Sequence, residues 1–313
     1  MAVAQMKLAL IGSNGMLARK VCEQAVVGGY TVTGLDLPEF DITDRNQVLA
    51  EMQRLQPAVI INCAAYTNVD GAETDEELAT RVNGYGPGYL AEAAKTVGAV
   101  LVHISTDYVF DGSKKCPYLE TDPVGPISAY GRSKLAGESA IIASGLERYF
   151  IIRTSWLYGP HGKNFVETII RLAQEREELR IVADQTGTPT YTGDLAEAIF
   201  NLIELSDRPK SPATRTGDSP HTGTVPYGVY HFSNSGQCSW YEFAVEIIEQ
   251  MRGRGAPFRI KKLEPIRTEE YPLPASRPAY SLFSKEKYLR ATGAEIPAWQ
   301  ESLTNYLKCR ENA

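Results

Sequence analysis

The chain lacks the features that define several protein classes. It has no run of Lys and Arg, and a nucleic-acid footprint would need one. It has no apolar stretch near the roughly 20 residues that span a bilayer. Its five cysteines, at 22, 63, 116, 238 and 309, are odd in number and show no metal-ligand or redox spacing. They read as free thiols in a reducing compartment. His103 falls in an apolar run and reads as core. His161, His221 and His231 have no ligand spacing, so no catalytic metal is expected. The start of the chain shows no cleavable signal pattern. The expectation is a cytoplasmic protein with neither a membrane nor a nucleic-acid partner. A net charge of −6 speaks for solubility and little else.

What is present is a globular composition, 43% hydrophobic and 22% charged, with enough apolar side chain for a large core. Through the first two-thirds, short apolar runs alternate with helical stretches. Lys7–Ile11, Tyr30–Asp36, Ala58–Asn62, Val100–Ile104 and Tyr149–Thr154 read as strands. Each run is continuous in apolar residues, as when helices cover both faces of a sheet. Met16–Val27, Arg45–Leu55, Leu78–Val97 and Tyr130–Ser144 read as helices, the second opened by a capping-box pattern at Asp44 and Gln47. This rhythm predicts an α/β fold with a doubly wound parallel sheet. Beyond residue 155 it loosens. Helices are expected near Asn164–Glu175 and Asp194–Leu205, after a Ser239/Glu242 capping box, and at the end, to about Leu307; Val229–Phe232 reads as a strand. Residues 206–228, rich in Pro, Ser, Thr and Gly, read as a mobile surface excursion.

Gly12-Ser13-Asn14-Gly15-Met16-Leu17-Ala18 follows the first strand and opens the first helix. The first Gly permits a tight turn, and the second lets backbone approach a pyrophosphate lying on the helix N-terminus. The third position, which governs packing of helix on strand, is Ala18. Gly12, Asn14, Gly15, Met16 and Leu17 are therefore expected to hold a dinucleotide. Asp36 ends the second strand about 20 residues on, where an acid accepts hydrogen bonds from the adenosine ribose. It also fits an ordinary turn before Pro38; the glycines favour the ribose role. No Arg or Lys directly follows Asp36 to meet a 2′-phosphate, so NADH is favoured slightly over NADPH. Asp41 and Ile42 suit an adenine-flanking loop and equally a solvent-facing acid beside a core residue. Residues 1–155 are read as a Rossmann dinucleotide-binding domain. Residues 156–313 are read mainly as a smaller C-terminal α/β substrate lobe, with some segments returning to the first domain.

Tyr130 and Lys134 are four residues apart on one helix and share a face. A Tyr hydroxyl titrates near about 10, and a neighbouring ammonium lowers that. Such pairs are common on ordinary helices. The context is what favours chemistry: Ser105 and Thr106 stand at the carboxyl end of the fourth strand, where open α/β sheets place ligand contacts. One of these hydroxyls can polarise a substrate carbonyl, while the other caps backbone.

GSNGMLA, NCAAYTNVD, ISTDYVFDG, YGRSKLAGE, RTSWLYG, DQTGTPT, YHFSN, SWYEFA and RPAYS occur in this order. From about Met6 to Leu307 the chain resembles the dTDP-4-dehydrorhamnose reductases, an extended branch of the short-chain dehydrogenase/reductases. It departs from them in Ala18 and in the length of 206–228. The resemblance implies NADH- or NADPH-dependent reduction of the C4 ketone of dTDP-4-dehydro-L-rhamnose to dTDP-L-rhamnose, for surface polysaccharide. It implies a triad in which Tyr130 is the proton donor, Lys134 holds the nicotinamide ribose, and Thr106 bonds the C4 carbonyl. Asn62, Ala64, Ala65 and Tyr66 would line the cofactor, with Asn83 in support.

Tyr108, Trp156, Asn164, Gln185, Thr188 and Arg277 are the substrate-side candidates, since sugars stack on aromatic faces and diphosphates need donors. Trp156 read by itself favours a core residue, and Asp184–Pro189 a plain turn; Gln185, Thr188 and Arg277 take a binding role from the resemblance alone. The alternatives are another nucleotide-sugar 4-ketoreductase, an epimerase, or a regulatory subunit resembling that of methionine adenosyltransferase. The sequence leaves a homodimer open.

Overall fold

The computed structural model describes residues 6–206 and 225–311. Most of the 206–228 excursion lies outside the described residues, as does His221. The chain opens with β1 (Lys7–Ile11), α1 (Met16–Val27), β2 (Thr31–Leu35), α2 (Arg45–Leu55) and β3 (Val59–Asn62). Two short helices follow, α3 (Val69–Ala72) and α4 (Glu76–Thr80), then α5 (Gly86–Val97), β4 (Val100–Thr106), α6 (Ala129–Ala143) and β5 (Tyr149–Thr154).

Leu8 and Leu10 pack on one face of the sheet, Ala9 and Ile11 on the other. The first face meets Val21 of α1; the second meets Met52 of α2, Leu90 of α5 and Ile141 of α6. Burial on both faces is why these strands carry no polar alternation.

The second part holds β6 (Leu157–Tyr158), α7 (Phe165–Glu175), β7 (Glu178–Val182), β8 (Thr186–Gly187), β9 (Thr190–Tyr191) and α8 (Thr192–Ser206). Then come β10 (Gly228–His231), β11 (Cys238–Ser239), α9 (Trp240–Gly253), β12 (Lys262–Ile266), α10 (Glu286–Thr292) and α11 (Trp299–Glu311). The main sheet is six-stranded and parallel, in the order β2-β1-β3-β4-β5-β10. β10 thus joins the first sheet, and Leu195 and Ile199 of α8 enter its core beside α1. A separate core gathers Val166 and Ile169 of α7, Phe243 and Ile247 of α9, and Leu303 and Leu307 of α11, next to the β7–β12 pair.

Two local expectations change. The helix expected over Leu78–Val97 starts at Glu76 and passes through a π-turn, Arg81–Tyr85, before α5. A single inserted residue leaves the apolar periodicity of the sequence almost intact, so the bulge is silent there. Asp44 caps α2, accepting from Asn46 N and Gln47 N, but Gln47 reaches Asp41 N (2.7 Å) in place of the Asp44 amide. The Ser239/Glu242 capping box is complete. Among the described residues, no helix is long and apolar enough to cross a membrane, and no His/Cys/Asp/Glu group could hold a metal ion.

Candidate active site

β1 leads to β2 on one side and β3 on the other, so the strand order reverses between β1 and β3. Ligands of such sheets bind outside the carboxyl ends of the strands at this switch point. Gly12 stands there with φ +73°, and a Cβ on it would lie 2.6 Å from Ala64 N. Only glycine fits both the left-handed turn and that approach. Ala18 is fully buried in the core shared by α1 and the sheet, so a methyl is accommodated at the third position. Asp36 accepts hydrogen bonds from Asn14 N (2.8 Å) and Leu37 N (2.9 Å), tying the end of β2 to the glycine turn. Between them opens a cleft of about 490 Å³, walled by Ser13, Asn14, Asp36, Glu39 and Glu51 among others. Asp41 and Ile42 are not among its walls. Asp41 caps Thr43, and Ile42 is buried under Gly86. Leu17 is a core residue, and Met16 lies under Gly162 and Asn164.

Asn62 is buried, facing His103 Nδ1 (3.0 Å) and accepting from Ala64 N (3.1 Å). Ala64 and Ala65 lead to Tyr66, whose backbone is clamped at both ends by Asn83. Its amide donates to Asn83 Oδ1 (2.8 Å), and its carbonyl accepts from Nδ2 (3.0 Å). The same Nδ2 donates to Ser133 Oγ (2.9 Å), so the π-turn braces α6 against the β3 loop. Thr106 closes β4 and Tyr130 is the second residue of α6, a helix capped by Ser128. Lys134, one turn on, is 2% exposed and donates to Ile104 O (2.6 Å).

A larger cavity, about 1020 Å³, opens beside this triad. Four of the sequence candidates, Tyr108, Trp156, Gln185 and Arg277, line it. Asn164 and Thr188 do not. Asn164 caps α7 through Glu167 N and donates to Gly159 O; Thr188 is fully buried and donates to Gly236 O. Both are small polar groups whose local backbone claims them. Arg277 makes a two-point ion pair with Asp70 (2.9 and 3.2 Å).

Trp240, Asp107, Arg176 and Arg180 also line the cavity and were not singled out by spacing. Trp240 stacks on Trp156 at 3.6 Å and 10°, and donates to Gln185 Oε1 (3.2 Å). Trp156 has φ +48°, and the position of a Cβ on Gly187 lies 2.5 Å from its ring. Glycine at 187 lets the indole lie flat against the strand. The Trp of SWYEFA was the available signal for Trp240, and the residue after Thr106 for Asp107.

The sequence profile of the RmlD substrate binding domain matches residues 6–311. The chain belongs to this family. It is 40% identical over 297 residues to a dTDP-4-dehydrorhamnose reductase of Burkholderia thailandensis, covering 94% of this chain and 96% of that one. It is also 40% identical to the spore coat polysaccharide biosynthesis protein SpsK of Bacillus subtilis, over 98% of this chain and 99% of the relative. A dTDP-4-dehydrorhamnose reductase structure from Clostridium acetobutylicum superposes with TM-score 0.87 at 40% identity, covering 98% of this chain and 100% of the other. Another, from Bacillus anthracis in complex with NADP, gives TM-score 0.86 at 40% identity, with 97% and 99% covered.

In this RmlD-family site, burial sets the protonation states. It pushes the Tyr130 hydroxyl up to about 12, helped by the Asp107 charge and opposed by a hydrogen bond with Thr106. Lys134 is absent from those causes: its ammonium lies on Ile104 O, so the expected lowering of Tyr130 is not seen here. A tyrosine that keeps its proton is suited to give one to a developing alkoxide. Burial brings Lys134 down to about 8, and the Glu138 charge opposes this. Burial also lifts Asp107 to about 6, against bonds from Ser281 and Thr106.

Proposed function

We propose that the protein reduces the C4 ketone of dTDP-4-dehydro-L-rhamnose to dTDP-L-rhamnose with a nicotinamide cofactor. The observation that supports the reading is that Thr106, at the carboxyl end of β4, and Tyr130, at the start of α6, adjoin Asp107 and Tyr108, which border a cavity of about 1020 Å³. The residues fit the cofactor. The Gly12 cradle admits no Cβ beside Ala64, and the glycine turn leads directly into the N-terminus of α1, where a pyrophosphate would lie. Asp36 would take the adenosine ribose, Tyr66 and its neighbours the nicotinamide side, and Tyr130 and Lys134 the second ribose. When bound, the reduced nicotinamide supplies hydride to C4. Thr106 holds the C4 oxygen, and Tyr130 donates its proton there as negative charge develops. Lys134, charged, offsets the loss of that proton.

NADH is the favoured cofactor: Asp36, Glu39 and Glu51 wall the adenosine cleft, no Lys or Arg does, and a 2′-phosphate would meet like charge. On the other side, Trp156 and Trp240 offer an aromatic face and Arg176 a cation to a nucleotide diphosphate, with Arg180 and Arg277 beside it in ion pairs with Glu270 and Asp70. The unit that contains these groups acts as the substrate lobe of a cytoplasmic enzyme. Supplying dTDP-4-dehydro-L-rhamnose and NADH tests the reading. Stoichiometric loss of reduced-nicotinamide absorbance with formation of dTDP-L-rhamnose is expected. Non-exchanging NAD that co-purifies with the chain, with conversion and no net NADH loss, would instead make it an epimerase.

A further inference from the structure

Lys134 is almost wholly buried, and a buried ammonium needs a counter-charge or it gives up its proton. Its surroundings are well defined. From β4 come the Ile104 carbonyl and His103, whose imidazole burial and the Lys134 charge hold far below the usual range, hence neutral. After β3 comes Cys63, its thiol pushed up to about 12 by burial, hence also neutral. From α6 itself come Tyr130, one turn before, and Glu138, one turn after; Asp107 acts on Tyr130. Glu138 is 1% exposed, and its carboxylate is fully engaged. Ser105 Oγ donates to Oε1 (2.5 Å), Arg153 Nε donates to the same oxygen (3.0 Å), and Arg153 Nη2 donates to Oε2 (2.7 Å). Ser105 is the neighbour of Thr106, and Arg153 comes from β5 and lies 3.5 Å from His231 Nε2.

We propose that Glu138 is a positioning residue for the reaction: its carboxylate, locked by Ser105 and Arg153, is the counter-charge that keeps Lys134 an ammonium. Glu138 touches neither cofactor nor sugar. It acts through Lys134, one helical turn away on the same face, and through Ser105 it also ties that turn to the end of β4. The direction of the Lys134 shift agrees, since Glu138 is the leading influence that opposes burial. The inference rests on the role given to Lys134 above.

The test is the dissociation constant of NADH as a function of pH, read by nicotinamide fluorescence on the full-length chain, beside thermal melts. Wild-type affinity should fall as pH rises through about 8. Glu138→Gln should move that midpoint down by about one pH unit or more. Glu138→Asp, which keeps the charge, should restore it even where melting temperature drops. If Glu138→Gln leaves Arg153 uncompensated and does not fold, Glu138→Gln/Arg153→Met removes both charges, and its midpoint should move in the same direction. An unmoved midpoint, or Gln and Asp variants that behave alike, overturns the proposal and leaves Glu138 a structural residue. Lys134→Met separates the two levels. If it binds NADH like wild type across the whole range, the role of Lys134 itself fails.

Discussion

The cofactor side of the cleft draws its groups from short spans of one sheet edge, Gly12–Ala18, Asn62–Tyr66 and Thr106–Lys134. The substrate side gathers Trp156, Gln185, Trp240 and Arg277 from separated segments. The two sides also differ in charge. Among the described charged residues, the cleft beside the glycine turn is walled by the acids Asp36, Glu39 and Glu51 alone, whereas the larger cavity mixes Arg176, Arg180 and Arg277 with Asp107, Glu178 and Glu269. Under the proposed reading, one side would discriminate by hydroxyl acceptance and repulsion of a phosphate, the other by aromatic surface and mixed charge. Function is thus divided between a local motif and a tertiary assembly, and the substitutions below are chosen to move one side without the other.

The largest effect is expected at the junction. Tyr130→Phe removes the proton donor and one ribose contact; it should lower turnover by about 10²–10⁴-fold while the NADH dissociation constant rises by no more than about fivefold. Turnover within a few-fold of wild type would remove Tyr130 as the acid. Asp107 borders both sides. Its folded-state value, about 6, lies above the ordinary 3.8, so its contribution to stability is full below 3.8 and is lost as pH rises through 6. Asp107→Asn should therefore gain on wild type in unfolding free energy at pH 8 relative to pH 4, by at most about 3 kcal/mol, read from denaturant melts at the two pH values. An equal difference at both pH values would mean the carboxyl is not held protonated.

Smaller and one-sided effects follow. Trp156→Ala breaks the stack on Trp240 and should raise the Michaelis constant for the nucleotide sugar up to about tenfold, with NADH binding unchanged. A large loss of melting temperature with an unaltered Michaelis constant would place Trp156 in the core alone. Asp36→Ala should weaken NADH by about tenfold and NADPH by less. Equal losses would move Asp36 off the ribose and leave it as the clamp on Asn14. Asn164→Ala should cost about 1 kcal/mol of stability through its lost cap and leave both binding constants alone. A raised Michaelis constant would return Asn164 to the substrate side.

The glycine turn and the Tyr130–Lys134 pair were legible in the sequence because each depends on neighbours within a turn or two of chain, and the sheet's strands because burial on both faces leaves a continuous apolar run, although their pairing is long-range. Continuous apolar runs implied helices on both faces, and Leu8 and Ala9 do pack on opposite sides. Asn164 and Thr188 stand outside the larger cavity, bonded to backbone, which was not legible, because a polar side chain near a cleft looks the same in sequence whether it faces ligand or caps its own backbone. Trp240 and Arg180 could not be placed by spacing, since only the packing of α7, α9 and the β7–β12 pair brings them to one wall. The shifts at Lys134 and Asp107 were equally hidden, because burial drives both.

The most direct test of the account is transfer of label from NADH deuterated at the reactive nicotinamide carbon, with the product sugar read by mass spectrometry. The account predicts deuterium at C4 of the reduced sugar, in step with NADH consumed. An unlabelled product, or conversion without NADH oxidation, would contradict it.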